Sequence, residues 1–344
     1  MFNRIRDWWQ SRSSGTAATS AAPWWRIPAI VSGTIALFVF LVVCWYWSRE
    51  PKVFWVEAQV DGETATVGFA TTSTLIRVTG TLLDKPGGLL INDIAPPGLV
   101  LDNIPSWEVG VLTQVRDLSR VMRNDYSRSQ SQSNEDEDLA DAESHFYIDY
   151  NSWIFPAAES EYREGIEALE RYQARLLDTG AEQSQFFARA DNLREWLGQV
   201  EKRLGNMSQA LTASVGQARV NTDLAGDASA RSGGGDNDSD VIVKTPWLKI
   251  DNVLFEARGT AWALLHFLRA AQFDFEQVLD DKNATVSLRQ IIRELEASLE
   301  PLASPMVLNG SGYGVFANHS LVMASYLSRA NAAVIDLREL LDQG

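Results

Sequence analysis

The longest apolar run lies near the start of the chain, where 22 residues from Ile27 to Ser48 carry no charge between Arg26 and Arg49. As a helix this run extends about 33 Å at 1.5 Å per residue, enough to cross the hydrocarbon core of a bilayer. Trp24 and Trp25 stand at one end and Trp45, Tyr46 and Trp47 at the other, where amphipathic rings settle at membrane–water interfaces. A single transmembrane helix over Ile27 to Ser48 is therefore expected. A cleaved signal peptide has a shorter apolar core and a small-x-small cleavage site, whereas this run ends in Cys-Trp-Tyr-Trp. A lipoprotein signal fits poorly, because Leu41-Val42-Val43-Cys44 has Val before the Cys and Trp after it.

After the span the period changes. Residues 51 to 70 alternate loosely and read as a short strand or an extended lead-in. From Thr72, Leu75, Ile76, Thr79, Leu82 and Leu83 share a helical face that stops at Asp84-Lys85-Pro86-Gly87-Gly88. Ser106 reads as the N-cap of a helix with Val111, Val115, Leu118 and Met122 in its stripe, running to about Ser127. The apolar-free run 127 to 138 reads as a solvated linker or a frayed helix end. Ala157 to Asp178 is again helical, with Tyr162, Ile166, Leu169 and Leu176 on one side.

The most regular pattern follows. Phe186, Ala190, Leu193, Leu197, Val200, Leu204, Met207 and Leu211 alternate steps of four and three, the seam of coiled-coil-like packing. Gly198 and Gly205 each fall one residue after a seam position and are placed on the outer face. Ala225 to Asp240 reads as a disordered loop dividing the body. Beyond it, helices are expected at about 250–280, 284–300 and 318–342. The first is apolar almost all round near Trp262, as the central helix of a bundle would be. Met323, Leu327, Ala330, Val334, Leu337 and Leu341 repeat the four-three spacing in the last. The fold class is all-α: one N-terminal transmembrane helix, then a bundle of about seven helices with long coiled-coil-like packing. The expected organisation is a basic cytoplasmic tail (1–26), the span (27–48), a helical region with a long hairpin (51–224), a linker (225–245) and a C-terminal helical region (246–344) on the same bundle.

Charge orients this arrangement. Of the 344 residues, 30 are Lys or Arg and 45 Asp or Glu, a net charge of −15. Residues 1 to 47 nevertheless hold four Arg and one acid, a bias that places the N-terminus in the cytoplasm and the body in the periplasm of a Gram-negative cell. Phe2, Ile5, Trp8 and Trp9 beside Arg4 and Arg6 suit a short helix on the cytoplasmic leaflet, or a frayed tail. The acidic body is repelled by phosphate backbones, so no nucleic-acid partner is expected. Cys44, in the apolar run, is the sole cysteine, so the body has no disulfide, thiol nucleophile or Cys-ligated zinc.

Candidate chemistry is sparse. The three histidines, His145, His266 and His319, have no His or Cys partner at ligand spacing, and no metal, cofactor or catalytic set is expected. His266, one turn after Trp262, reads as a satisfied core histidine. Glu256, Arg258 and Arg269 lie on the most apolar helix, where unpaired charge is costly, so pairing with carboxylates of other helices is expected. The glycine-rich stretch Asn309 to Ser320 contains Tyr313, Asn318 and His319 at the start of the last helix, where the helix dipole favours an anion. It lacks the Lys-Ser/Thr of a P-loop, and its plainer reading is an interhelical loop with Asn318 or Ser320 as N-cap. A ligand pocket would draw on Tyr313, Asn318, His319, Trp262, His266 and Arg269. A partner surface would use the seam residues Phe186, Leu193, Leu197, Val200, Leu204 and Leu211. Glu159-Ser160 matches the opening of a lytic transglycosylase motif, whose downstream Gly-Leu-Met-Gln element is absent.

Several blocks carry a resemblance: 107–133 (WEVGVLTQVRDLSRVMRNDYSRSQSQS), ARADNLREWL with VEKRLG in 188–205, FEARGTAWALLHFLRA (255–270), SLRQIIRELEA (287–297) and 304–341. Together they resemble the bacterial inner-membrane family designated domain of unknown function 2333, over nearly all of the chain after about residue 25. The resemblance implies a Gram-negative envelope protein with one N-terminal span and carries no catalytic residues. The expected role is a membrane-anchored periplasmic scaffold that binds an envelope protein or itself. The alternatives are a binding module for a small or lipidic ligand and a carboxylate-dependent cell-wall hydrolase.

Overall fold

The apolar run forms one helix, α1 (Arg26–Trp47). This is seen in a computed structural model that describes residues 26–60, 63–64, 66–129, 135–178, 185–219, 241–304, 306–311 and 313–343. No residue of the apolar window in Ile27–Trp47 is buried inside the protein, and the helix is long and apolar enough to cross a membrane. Residues 1–46 and 47–344 are separate compact units. The tail positions Phe2 to Trp9, the Trp24–Trp25 pair and the loop Ala225–Asp240 lie outside the described residues.

The body is α-helical, as expected. Its helices are α2 (Phe69–Asp84), α3 (Asn103–Val121), α4 (Glu137–Phe146), α5 (Ala158–Leu177) and α6 (Ala190–Thr212), then α7 (Ile250–Asp274), α8 (Glu276–Asp281), α9 (Thr285–Ser298) and α10 (His319–Asp342). Two antiparallel ladders complete it: Gln59–Val60 with Glu63–Thr64, and Gln217–Arg219 with Val241–Val243.

α7 is the axis of the bundle, and its middle from Ala257 to Leu268 is buried on every side. α3 runs parallel to it. The Asn252 amide lies 3.3 Å from Asp102, the rings of Trp107 and Trp262 are 5.2 Å apart, and those of Tyr126 and Phe275 are 5.3 Å apart. The two helices cross where Gly110 faces the backbone of Glu256 and Thr260 and Gly259 faces the carbonyl of Trp107. α2 is antiparallel to α7. Its free N-terminal N–H groups are taken up by Asp274, which accepts from Gly68 N (2.8 Å), Thr71 N (2.7 Å) and Thr71 Oγ1 (2.6 Å).

α6 and α10 form an antiparallel pair. Arg194 meets Asp342 at 2.6 Å, Arg338 meets Glu201, and Ser208 meets Ser328 at 2.6 Å. The seam is folded inside the chain's own bundle, with Leu193, Leu197, Val200, Leu204 and Leu211 almost fully buried. The expected surface is corrected in two places. Phe186 precedes α6, which begins at Ala190, and packs against Tyr126, Phe275 and Gly68. Gly198 and Gly205 do not lie on an outer face. They turn toward Arg338 and Asn331 of α10, whose side chains lie within 4 Å of where a Cβ would stand.

Other departures have local causes. α3 starts three residues before Ser106, whose hydroxyl donates back to the Asp102 carbonyl instead of capping. At its far end α3 widens into a π-helical turn, Met122–Tyr126. The acidic run is not simply solvated. Asp136 accepts from the N–H groups of Asp138 and Leu139 to cap α4 and also pairs with Arg175, while Asp138 pairs with Arg171 and Arg175. The helical run expected at 250–280 breaks at Phe275, which leaves helical geometry while its ring stays buried against Tyr126 and Phe186.

These directions bring one set of termini together. The C-termini of α2, α6 and α9 lie at the same end of the bundle as the N-termini of α3, α5, α7 and α10. Asn92 donates to Ser152 O and Glu159 (both 3.0 Å), and Asn309 donates to Ser214 O (3.0 Å). Thr245 N donates to Ala213 O (3.0 Å) and Arg258 to Ser298 O (3.2 Å). The chain enters the body at this end, where the Trp47 indole lies against Gly87.

Candidate functional site

Residues 50 to 57 leave the entry end as an extended strap along α7. Glu50 accepts from Arg258 through both carboxylate oxygens, at 2.6 and 2.7 Å, and Arg258 also donates to the carbonyls of Ser298 and Glu300 at the end of α9. The guanidinium is almost wholly buried. It neutralises Glu50 and satisfies C-terminal carbonyls that the helix leaves without partners. Four residues further along the strap the Phe54 ring stacks on His266, with centroids 3.9 Å apart, and Phe54 N donates to His266 Nε2 at 3.1 Å. For Nε2 to accept, Nδ1 must carry the proton, which it donates to Trp262 O at 2.6 Å. Burial lowers the His266 pKa to about 4, so the ring is neutral at ordinary pH. Arg269 donates to Phe54 O and pairs with Glu296, and Arg77 covers the Phe54 ring and binds Trp55 O and Glu57.

Three of the expected ligand residues, Trp262, His266 and Arg269, thus hold the chain's own lead-in. The expected pairing of the α7 charges is met by Glu50 for Arg258 and Glu296 for Arg269. Arg203 of α6 lies near enough to Glu256 to favour its charged form, although burial raises its pKa. Glu50 lies on the strap, not on a helix, which is why helical spacing did not reveal it.

The other three ligand candidates, Tyr313 and Asn318 on the loop before α10 and His319 at its first position, do not converge with the first group. Asn318 caps α10 by accepting from Leu321 N at 2.8 Å, and its amide closes the loop on Asn309 Oδ1 and Gly310 O. His319 Nδ1 accepts from Leu308 N at 3.1 Å. Tyr313 projects fully into solvent at the loop tip. His319 also borders a cavity of about 240 Å³, with Arg258, Leu302 and Tyr326 among its walls. A wider groove of about 620 Å³ runs between α2 and α5, edged by Arg77, Arg163, Glu167 and Glu170.

Two further charged groupings were not legible as sites. His145 Nδ1 is 2.8 Å from Glu161, while Nε2 is 3.4 Å from Asp141 and 3.6 Å from Glu164. His145, Glu161 and Glu164 form the one group of three such side chains, among the described residues, with ligand atoms close enough to hold a cation. It escapes a spacing search because the donors come from two helices. Lys85 and Glu108 form a buried pair at 2.5 Å, and Glu108 also accepts from Leu90 N and Ile91 N while Lys85 donates to Gly88 O. Burial raises the pKa of Glu108 and of Asp274, and the N–H groups of the chain oppose that shift in both. Both carboxylates are enclosed by their own hydrogen bonds, so neither is placed to act as an acid on a substrate.

The molecule is therefore an all-helical bundle behind an apolar N-terminal helix, joined to it by a clamped strap. A family described as uncharacterised proteins conserved in bacteria (DUF2333) matches residues 18–344, and the chain belongs to this family. No curated protein and no solved structure matches it.

Proposed function

We propose that the protein is a single-pass inner-membrane protein with a cytoplasmic N-terminus and a periplasmic body. In this reading it is a non-enzymatic scaffold that holds an interaction surface at a fixed place beside the membrane. The strap is the observation that carries this. A passive tether needs no order, whereas this one is held by a buried bidentate ion pair, a stacked histidine and two further arginines. Such an attachment is useful where the placement of the body matters. The uncovered α1 and the Arg-rich segment before it support the span and its direction. The burial of the α6 seam directs a partner to the remaining surface of the bundle.

The test is crosslinking of the full-length protein in intact cells, with added protease as a topology control. A discrete envelope-protein adduct, with the body cut only after the outer membrane is opened, is the expected result. A body protected in spheroplasts would overturn the orientation. A second reading, binding of a small ligand, rests on the cavity beside Arg258 and His319. Native mass spectrometry of the purified protein would show the added mass.

A further inference from the structure

The body's exposed large apolar side chains are unevenly distributed. Helix sides and the far end hold scattered examples such as Phe273 and Val286, but most project from loops at the entry end. Trp153 and Phe155 project from the turn before α5, and Trp247 from the segment before α7. Tyr313, Val315 and Phe316 project from the loop before α10. Phe155 is 94% exposed, Trp247 80%, Tyr313 107% and Val315 99%, so the bundle itself gives these side chains little packing. Ile94 and Leu99 add to them from the loop that Asn92 ties to Ser152.

The charge pattern matches. In a chain of net charge −15, the stretches Ile94–Leu101, Tyr150–Ala158 and Pro301–Asn318 contain no charged residue, and Trp247-Leu248 lies between Lys244 and Lys249. An acidic body is repelled by an anionic surface, but uncharged aromatic tips are not, and aromatic rings partition favourably into the headgroup region. The chain also enters the body at this end, with Trp47 against Gly87 and Glu50 on Arg258.

We infer that the loops at the entry end form a collar that inserts into the outer surface of the bilayer crossed by α1. The body would then rest on the lipid with its helix termini facing the membrane. The occupant is the neutral interfacial zone of the lipid. Tyr, Trp and Phe on short, glycine- and proline-containing loops suit that zone, and the collar is reached by a strap too short and too firmly held to carry it far from the membrane. This inference rests on the reading of α1 as a span and adds to it a second, independent contact with the lipid.

The test uses the full chain with Cys44→Ser, which removes the sole cysteine. Spin labels are placed singly through Phe155→Cys, Trp247→Cys and Phe316→Cys in the collar, Phe273→Cys and Val286→Cys at the far end, and Val39→Cys in α1. Each protein is reconstituted sparsely into phosphatidylcholine vesicles. The ratio of collisions with oxygen to collisions with a water-soluble nickel chelate is then measured. The collar labels should show a ratio several-fold above that of the far-end labels, approaching the Val39 label. Collar labels as water-exposed as the far-end ones, with Val39 in lipid, would overturn the collar while leaving the span intact. A water-exposed Val39 label would overturn the span and the collar together. Dipolar broadening between collar labels would assign the patch to a second copy of the chain and also overturn the inference.

Discussion

Alanine at Gly259 reverses its usual effect. In an exposed helix interior Gly→Ala stabilises by about 1 kcal/mol, because Ala gives up less backbone freedom on folding. At Gly259 a Cβ would stand 2.0 Å from the Trp107 carbonyl oxygen, and at Gly110 it would stand 2.1 Å from that of Glu256. A carbon–oxygen contact needs roughly 3.3 Å, so for Gly259→Ala α3 and α7 must part by roughly 1.3 Å at their crossing. Neither partner is a side chain that can swing away. A gap of about 1 Å forfeits up to about half of each dispersion contact along the crossing, where Trp107, Val111, Trp262 and Leu264 are buried. Overpacking of this kind costs about 3 kcal/mol or more, against the gain of about 1 from propensity, for a net loss of about 2–4 kcal/mol. At about 2 °C per kcal/mol for a body of this size, Tm should fall by roughly 4–8 °C. Gly80→Ala, where nothing lies within 4 Å of the new Cβ, should raise it slightly. Thermal unfolding followed by circular dichroism on full-length protein in detergent checks both. A Gly259→Ala protein as stable as the parent would refute the close crossing.

Further outcomes follow from the strap and the caps. Arg258→Met strands Glu50 and the α9 carbonyls and should cost about 3–5 kcal/mol in urea unfolding, whereas Glu50→Gln, which keeps an acceptor at a half-buried position, should cost about 1. Because the folded His266 pKa, about 4, lies below its ordinary 6.5, the unfolded chain binds the proton first as pH falls. Its contribution is complete above pH 6.5 and declines toward pH 4, by about 3 kcal/mol in all. Stability measured against pH should therefore be flatter across that window in His266→Gln than in the parent. Asp274→Ala leaves the N–H groups of Gly68 and Thr71 without an acceptor and should destabilise by about 1–3 kcal/mol, with hydrogen exchange quickening first at the start of α2.

The periodic helices were legible because burial on one face repeats every three or four residues. α5, α9 and α10 fall close to their expected limits, and Asn318 caps α10 as one of two expected candidates. α4 was not legible, since its ten residues send only Leu139, Ala142 and Phe146 into the core and its cap and ion pairs, through Asp136, Arg171 and Arg175, form only after folding. The outward placement of Gly198 and Gly205 failed for a related reason. A seam identifies the buried stripe of one helix, but a second helix laid along its flank covers neighbouring positions too, and that neighbour, with Asn331 and Arg338, comes from far later in the chain.

The chain's own order of residues determined the apolar helix, the all-α class, the central position of α7 and the core placement of His266. Each follows from local composition or a repeating pattern, which survives whatever the helices pack against. Only the tertiary structure decided that the seam closes within the chain and that Trp262, His266 and Arg269 grip the strap while Tyr313 and His319 stand apart from them. It likewise decided that loops far apart in sequence share one end of the bundle. Those outcomes depend on helix direction and pairing, which are set by contacts between residues separated by tens to hundreds of positions.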